Sequence, residues 1–403
     1  MNVATKLSVP DHVPAELVHE FDIYEDPGIR RDLHRQYSRI LKEAPGIFWS
    51  PNNGGHWMVT RYDTINAVVM DTTHFSTEHS QIPKISNPPR FIPLNYDPPE
   101  NMPYRKVLMP FFSPKAVKAM DEQIEFHANR IVDAVKDKGR CEFVRDVAAP
   151  FPVTVFMILM GLPLERFNDF RQMVDDFFNA QGTERLEGIT AAMNAEILAI
   201  INARRAEPKE DLVSYLVNAD MDGRKLTEYE LLNMCFLLVL GGLDTVTNML
   251  TFTTHRLAQE PEVQKRLIAD PSLIDAATEE GLRLFGVVNV PRVVKKDVDL
   301  LGVPFRVGDM VLCTLPMAGW DDTKNDNPAV FDLDRKERHL LTFSTGAHLC
   351  LGHFLARTEL RKMYRVWMEK IGEFRCAPDA EFHYRGGTVM ALDRLDLVWD
   401  VKR

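Results

Sequence analysis

Residues 227–259 read as one helical run that ends just short of Pro261. The run opens with Thr227-Glu228-Tyr229-Glu230, a pattern in which the threonine hydroxyl and the glutamate carboxylate each satisfy an orphan amide at a helix start. Roughly thirty residues is long for a globular helix. Leu237-Leu238-Val239-Leu240 is apolar on every side, so the middle of this helix has no solvent face and must cross the protein's interior. The apolar part, residues 231–243, is broken by Asn233 and followed by Asp244, which is short of the about eighteen apolar residues a membrane span needs.

Gly241-Gly242-Leu243-Asp244-Thr245 contradicts its surroundings. Two glycines weaken a helix at mid-length, and a carboxylate follows inside an apolar stretch. One reading is a helix crossing, where glycines allow close approach and Asp244 finds a buried partner. The other is a place where something other than a side chain must fit.

The rest of the chain gives the setting. With 403 residues, 45% of them hydrophobic, it can bury a large core, and no linker or repeat divides it. A net charge of −10 argues against nucleic acid as a partner. Five scattered cysteines without a C-x-x-C pair fit neither a disulfide framework nor a zinc site and suit a reducing compartment. The first residues lack the apolar core of a signal peptide, which points to the cytoplasm.

Helical spacing recurs over residues 29–43, 114–138, 153–160, 164–179 and 188–207, and Asp97-Pro98-Pro99-Glu100 opens a further helix carrying Asn101, Tyr104 and Arg105. The last two of the spaced runs flank a Gln181-Gly182 turn, and the first of that pair carries Phe167, Phe170, Phe177 and Phe178. Residues 46–50 and 56–60 flank an Asn/Gly turn and read as a hairpin, and short strands are expected over 287–317. Four prolines within residues 80–93 mark a loop with the character of a functional one.

Residues 343–352, Phe-Ser-Thr-Gly-Ala-His-Leu-Cys-Leu-Gly, set one cysteine between two glycines just ahead of a helical pattern at His353. A thiolate that binds a metal needs amides aimed at its sulfur and a backbone able to pass close to a flat cofactor; Gly346 and Gly352 permit both. The helix amino terminus favours an anionic sulfur at Cys350. A buried structural cysteine is the plainer reading of Cys350 taken alone.

The spacing F-x-x-G-x-H-x-C-x-G resembles the haem-binding signature of the cytochrome P450 family, haem-thiolate monooxygenases. One position departs: the family usually has Gly where this chain has Ser344, which implies a tighter or displaced turn. The resemblance implies a mainly α fold with small β-sheets in a single domain over 1–403, its long central helix crossing over a buried haem. It implies haem b bound through Cys350, with Phe343, Gly346 and Gly352 shaping the loop. Arg105, Arg292 and His348 would meet the propionates, with Asn101 where many members have His and Val290 where a similar member has an acidic residue. Gly241 would leave room for dioxygen, Thr245 would donate a hydrogen bond to it, and Asp244 would relay protons. Glu280 and Arg283 would join Arg335 in a brace behind the ligand loop.

Further segments, among them Asn53-Gly54-Gly55-His56-Trp57 and Phe91-Ile92-Pro93, are similar to the camphor-hydroxylating branch of the family. Its pocket positions correspond to Gln81, Pro89, Leu237, Leu240, Gly241, Val288 and Val389. Pro89 stands where that branch has a tyrosine donor, so the expected substrate is a small hydrophobic terpenoid or norisoprenoid rather than camphor. Electrons would come from a [2Fe-2S] ferredoxin docking on Lys106, Lys115, Lys336, Arg338, Arg357, Arg361 and Lys362. A monomer without a membrane anchor is expected. A haem sensor or carrier without turnover and a peroxide-driven relative are the alternatives; Asp244 and Thr245 argue against both.

Overall fold

The central helix forms in two pieces. In this computed structural model, which describes residues 8–84, 90–178 and 183–401, they are Glu228–Leu243 and Thr245–Leu257. The cap is the expected one: Thr227 Oγ1 accepts from the Glu230 amide at 3.2 Å, and the Glu230 carboxylate accepts from the Thr227 amide at 2.7 Å. The continuity is not as expected, because Asp244 leaves the helical path for one residue (φ −125°, ψ −36°). Together the pieces are long and apolar enough to cross a membrane by length and composition. Their apolar side chains are instead buried against protein, as Met234, Val239, Leu243, Leu250 and Phe252 illustrate.

The packing partners follow from composition. Pro150–Met160 is apolar all round and runs beside the central helix, with Phe151, Val153, Val155 and Met157 buried. Thr183–Ala206 packs across Glu228–Leu243, and the aromatic helix Phe167–Phe178 lies against both. Ile274–Leu284 and His353–Lys370 pack on Thr245–Leu257. Helical runs read as single split where capping residues intervene: Asp32 ends Pro27–Arg31 and caps Leu33–Glu43, and residues 114–138 divide into Pro114–Ala119, Asp121–Asp133 and a 3-10 turn. The Gln181-Gly182 turn, Pro89 and the side chain of Phe178 lie outside the described residues.

A five-stranded sheet flanks the helices in the order Ile47–Ser50, His56–Val59, Met310–Cys313, Val290–Val294, Phe75–Ser76. The expected hairpin supplies the first pair, turning through Asn53, Gly54 and Gly55 at positive φ. Val311 pairs with Trp57 on one side and Arg292 on the other, which fixes Arg292 in the sheet. Trp49, Trp57, Phe75 and Phe305 pack behind this sheet as a second core.

Candidate active site

The ligand loop is closed by its own backbone. The Cys350 amide donates to the Phe343 carbonyl at 2.9 Å, and the Ser344 amide donates to Leu341 at 2.7 Å. Ser344 itself takes the left-handed conformation, φ +59°, so the turn needs no other adjustment for the missing glycine; its hydroxyl is buried without a hydrogen-bond partner. Gly346 holds φ +65°, a conformation that strains other residues, and a Cβ there would also push the exposed Met70 side chain aside. Gly352 caps His353–Lys370 and gives its amide to the Cys350 sulfur.

Burial pushes the Cys350 thiol up, and the Gly352 amide, Arg105 and Arg357 oppose that push. Protein surrounds the residue, yet its surface is accessible, whereas Cys141, Cys235 and Cys313 are buried. These facts agree if Cys350 lines an internal hollow rather than the packed core. Phe343 stands beside it under the Arg357 guanidinium, 4.7 Å from the ring centroid, and Glu279 holds Arg357 at 2.8 Å.

A cationic rim borders the loop. Arg105 donates to the Leu349 carbonyl at 2.6 Å, and Asn101, just ahead of helix Met102–Phe112 rather than inside it, donates to Ala347 at 3.3 Å. Asn101 Oδ1 and His348 Nε2 are buried without partners. Burial, then Arg292 and Arg105, lowers the His348 pKa to about 4. Arg292 is 4% exposed and bonds only the Pro291 carbonyl. Among the described residues, no carboxylate lies within ion-pair distance of Arg105 or Arg292. Two buried or half-buried guanidiniums and an orphaned imidazole nitrogen are the donors that a pair of carboxylates requires. With an accessible, amide-bonded cysteine sulfur beside them, they fit haem.

The central helix carries the other half of the site. Its glycines have separate tasks: a Cβ on Gly241 would meet nothing within 4 Å, whereas one on Gly242 would stand 2.3 Å from the Phe156 ring. The close approach expected of a helix crossing is made at Gly242, and Gly241 borders open space. Thr245 Oγ1 donates to the Gly241 carbonyl at 3.0 Å. Asp244 is 8% exposed and borders a cavity of about 290 Å³ with Thr247, Asn248, Arg171, Arg385 and Asp393. That cavity is polar enough to hold water beside the carboxylate.

Behind the loop, Glu280 is fully buried and accepts from Arg283 (2.6 and 3.1 Å), Arg335 (3.0 Å), Arg338 (3.1 Å) and the Asp332 amide (3.1 Å). Burial alone would raise its pKa, but Arg283 and the other donors outweigh it and hold the carboxyl below its ordinary value. The expected triad is present with a fourth member, Arg338. Its position one helical turn's length after Arg335 was the available signal.

Arg338 is thereby lost from the expected docking patch, and three more of its members are neutralised. Arg357 pairs with Glu279, Arg361 with Asp275 and Glu279, and Lys362 with Asp121 and Glu125. Lys106, Lys115 and Lys336 remain exposed, with no ion pair among the described residues.

Of the pocket positions, Leu237, Leu240 and Gly241 share one face of the central helix, and Val288 bridges Val389 directly. Phe91 stacks on Phe236 and Phe177 meets both edge-on, with ring centroids 5.6–6.0 Å apart, joining the proline-rich loop, the aromatic helix and the central helix. Gln81 is half-buried at the start of that loop.

The cytochrome P450 family model matches residues 167–365. The chain is 32% identical over 401 residues to the probable cytochrome P450 127A1 of Sinorhizobium fredii, covering 97% of each protein. It is 33% identical over 294 residues, 71% of this chain and 79% of the other, to the steroid C26-monooxygenase of Mycobacterium tuberculosis. The crystal structures of CYP101J2 and CYP101C1 superpose with TM-scores of 0.90 and 0.89 at 36% and 33% identity, each over 98% of this chain and 100% of the other. Fold, loop and relatives thus agree that the chain belongs to the cytochrome P450 family and is a haem b monooxygenase.

Proposed function

We propose that this enzyme hydroxylates a compact hydrophobic substrate of the terpenoid or norisoprenoid class, taking electrons from a [2Fe-2S] ferredoxin. Bound haem supplies dioxygen activation: two electrons and two protons reduce O2, one oxygen atom enters a C–H bond, and the other leaves as water. Cys350 is the metal ligand, positioned by the Gly352 amide and the Phe343 carbonyl. Arg105, Arg292 and His348 would hold the propionates, and Asn101 steadies the rim by donating through Nδ2 to the Ala347 carbonyl. Phe343 excludes water from the sulfur, and Gly346 lets the loop pass close to the ring. On the other side Gly241 keeps the reaction space clear. Thr245 turns its hydroxyl from the Gly241 carbonyl toward dioxygen, and Asp244 passes it protons from the adjoining cavity.

The observation that carries the substrate reading is that Leu237, Leu240, Val288 and Val389 are all apolar, with Val288 bridging Val389 directly. Burial at about 25 cal/mol per Å² then decides affinity, and about 20–60 Å² of extra apolar contact equals one oriented hydrogen bond. The steroid substrate in the name of the Mycobacterium relative is apolar too. Gln81, half-buried at the start of the loop, closes the wall on that side. Lys106, Lys115 and Lys336, with the exposed Met109, Leu349 and Phe354, form the docking face for an acidic ferredoxin on the cysteine side. The enzyme acts as a cytoplasmic monomer. Soret titrations with camphor, β-ionone and a linear fatty acid test the substrate class: β-ionone should bind tightest, and tightest binding by the fatty acid refutes a compact pocket. Cys350→Ala should abolish turnover.

A further inference from the structure

The loop bearing Gln81 is held by one buried side chain and one hydrogen bond. Ile82 is 2% exposed in the main core, and among the described residues the one hydrogen bond from 80–84 to the rest of the protein is that of the Tyr24 hydroxyl, which donates to the Ile82 carbonyl at 2.6 Å. The same oxygen lies 3.5 Å from Thr388 Oγ1, in the hairpin whose next residue is Val389.

Tyr24 is built to hold. Its amide and that of Glu25 bond to Asp22 Oδ1 at 2.9 and 3.1 Å, and Asn53 of the hairpin turn bonds the same oxygen at 3.0 Å. Its ring lies on Gly387, where a Cβ would come within 2.5 Å. Burial, the largest influence, raises the phenol's pKa, so it stays a neutral donor. The far wall is rigid by separate means: Asn289 donates through its amide to Thr388 at 2.9 Å and through Nδ2 to Gly387 at 2.7 Å, and Met390 bonds Val287 at 2.8 Å. One phenol therefore ties a segment with a single hydrogen bond of its own to the protein to one held by several, each next to a residue of the proposed substrate wall.

We propose that Tyr24 is a positioning residue for substrate: it latches the Gln81 segment onto the Val389 hairpin and so sets how long a ligand stays bound. This rests on the substrate wall proposed above. The haem and its ligand are untouched by the latch, and Phe at position 24 keeps the ring on Gly387.

Two measurements on haem-loaded Tyr24→Phe test it. Without substrate, backbone hydrogen exchange in a peptide spanning residues 77–84 should quicken several-fold while the 353–370 helix is unchanged; equal exchange in both proteins overturns the latch whatever the substrate is. In stopped flow, β-ionone should dissociate about 2–10-fold faster, the range one neutral hydrogen bond supports, while imidazole, which needs only the iron, dissociates as before. Equal acceleration of both ligands overturns the proposal in favour of general loosening, and an unchanged β-ionone rate overturns it outright. Should wild type show no Soret response to β-ionone, the substrate reading fails, and the exchange result alone decides the latch.

Discussion

Ser344→Gly should make the enzyme more stable. Ser344 holds φ +59°, a conformation that costs a non-glycine residue roughly 1–2 kcal/mol. Its buried hydroxyl has no partner among the described residues, a further cost of about 1–3 kcal/mol. Glycine returns about 0.4–1 kcal/mol of that through the greater freedom of the unfolded chain. Taking the lower ends, the net gain is about 1–2 kcal/mol. At about 2.1 cal/mol/K per residue, a chain of 403 residues has an unfolding entropy of about 0.8 kcal/mol/K, so the melting temperature should rise by about 1–3 °C. Thermal melts of the haem-loaded protein, followed at the Soret band and by circular dichroism, measure it. An unchanged or lower midpoint, with the thiolate-type carbon-monoxide spectrum intact, would refute the reasoning, because it would mean that serine is neither strained nor unpaired there.

Gly242→Ala should lower the free energy of unfolding by about 1–3 kcal/mol, since its Cβ meets Phe156, whereas Gly241→Ala should not; equal effects in urea melts would deny the two glycines separate tasks. Thr245→Ala should bind haem and substrate yet divert electrons into peroxide, and an undiminished ratio of product to reductant consumed would remove Thr245 from the reaction. Burial lowers the folded-state pKa values of His34, His56 and His255 from 6.5 to about 3, 4 and 4. The unfolded chain therefore takes up protons first as pH falls through 6.5, and stability drops by about 2 kcal/mol per histidine between pH 7 and 5; urea midpoints that are flat over that range would contradict it. Lys115→Glu should slow reduction by ferredoxin more than Arg361→Glu, because Asp275 and Glu279 already neutralise Arg361; the reverse order in stopped-flow reduction would move the docking face.

What the sequence displayed was what local chemistry determines. The capping box at Thr227, the Asn/Gly hairpin and the cysteine loop each depend on residues a few positions apart, and each stands as read. The interruption at Asp244 adjoins Gly242, which meets Phe156, a neighbour some ninety residues away in the chain that no local spacing shows. Four of the seven cations expected in the docking patch are taken up in the same way: Glu280 reaches Arg338, and Glu279, Asp275, Asp121 and Glu125 reach Arg357, Arg361 and Lys362, only through the packing of distant segments. Arg105, Arg292 and His348 came from resemblance, and no spacing in the sequence would have joined a helix, a strand and a loop.

The brace has a consequence for how this surface can change. Apart from Glu280, Arg283 and Arg335 bond to carbonyl oxygens: Gly319, Pro328 and Val330 for the first, Asp326, Asn327 and Val330 for the second. Every amino acid supplies a carbonyl, and the side chains of Asp326, Asn327, Ala329 and Val330 point into solvent. Evolution or a designed library can therefore rewrite that outward face, altering charge and shape near the cysteine side, while the inward trace of the chain stays fixed. Gly319 and Asn327 are the exceptions: a Cβ on Gly319 would lie 1.8 Å from the Arg283 carbonyl, and Asn327 holds φ +45°, which favours asparagine or glycine.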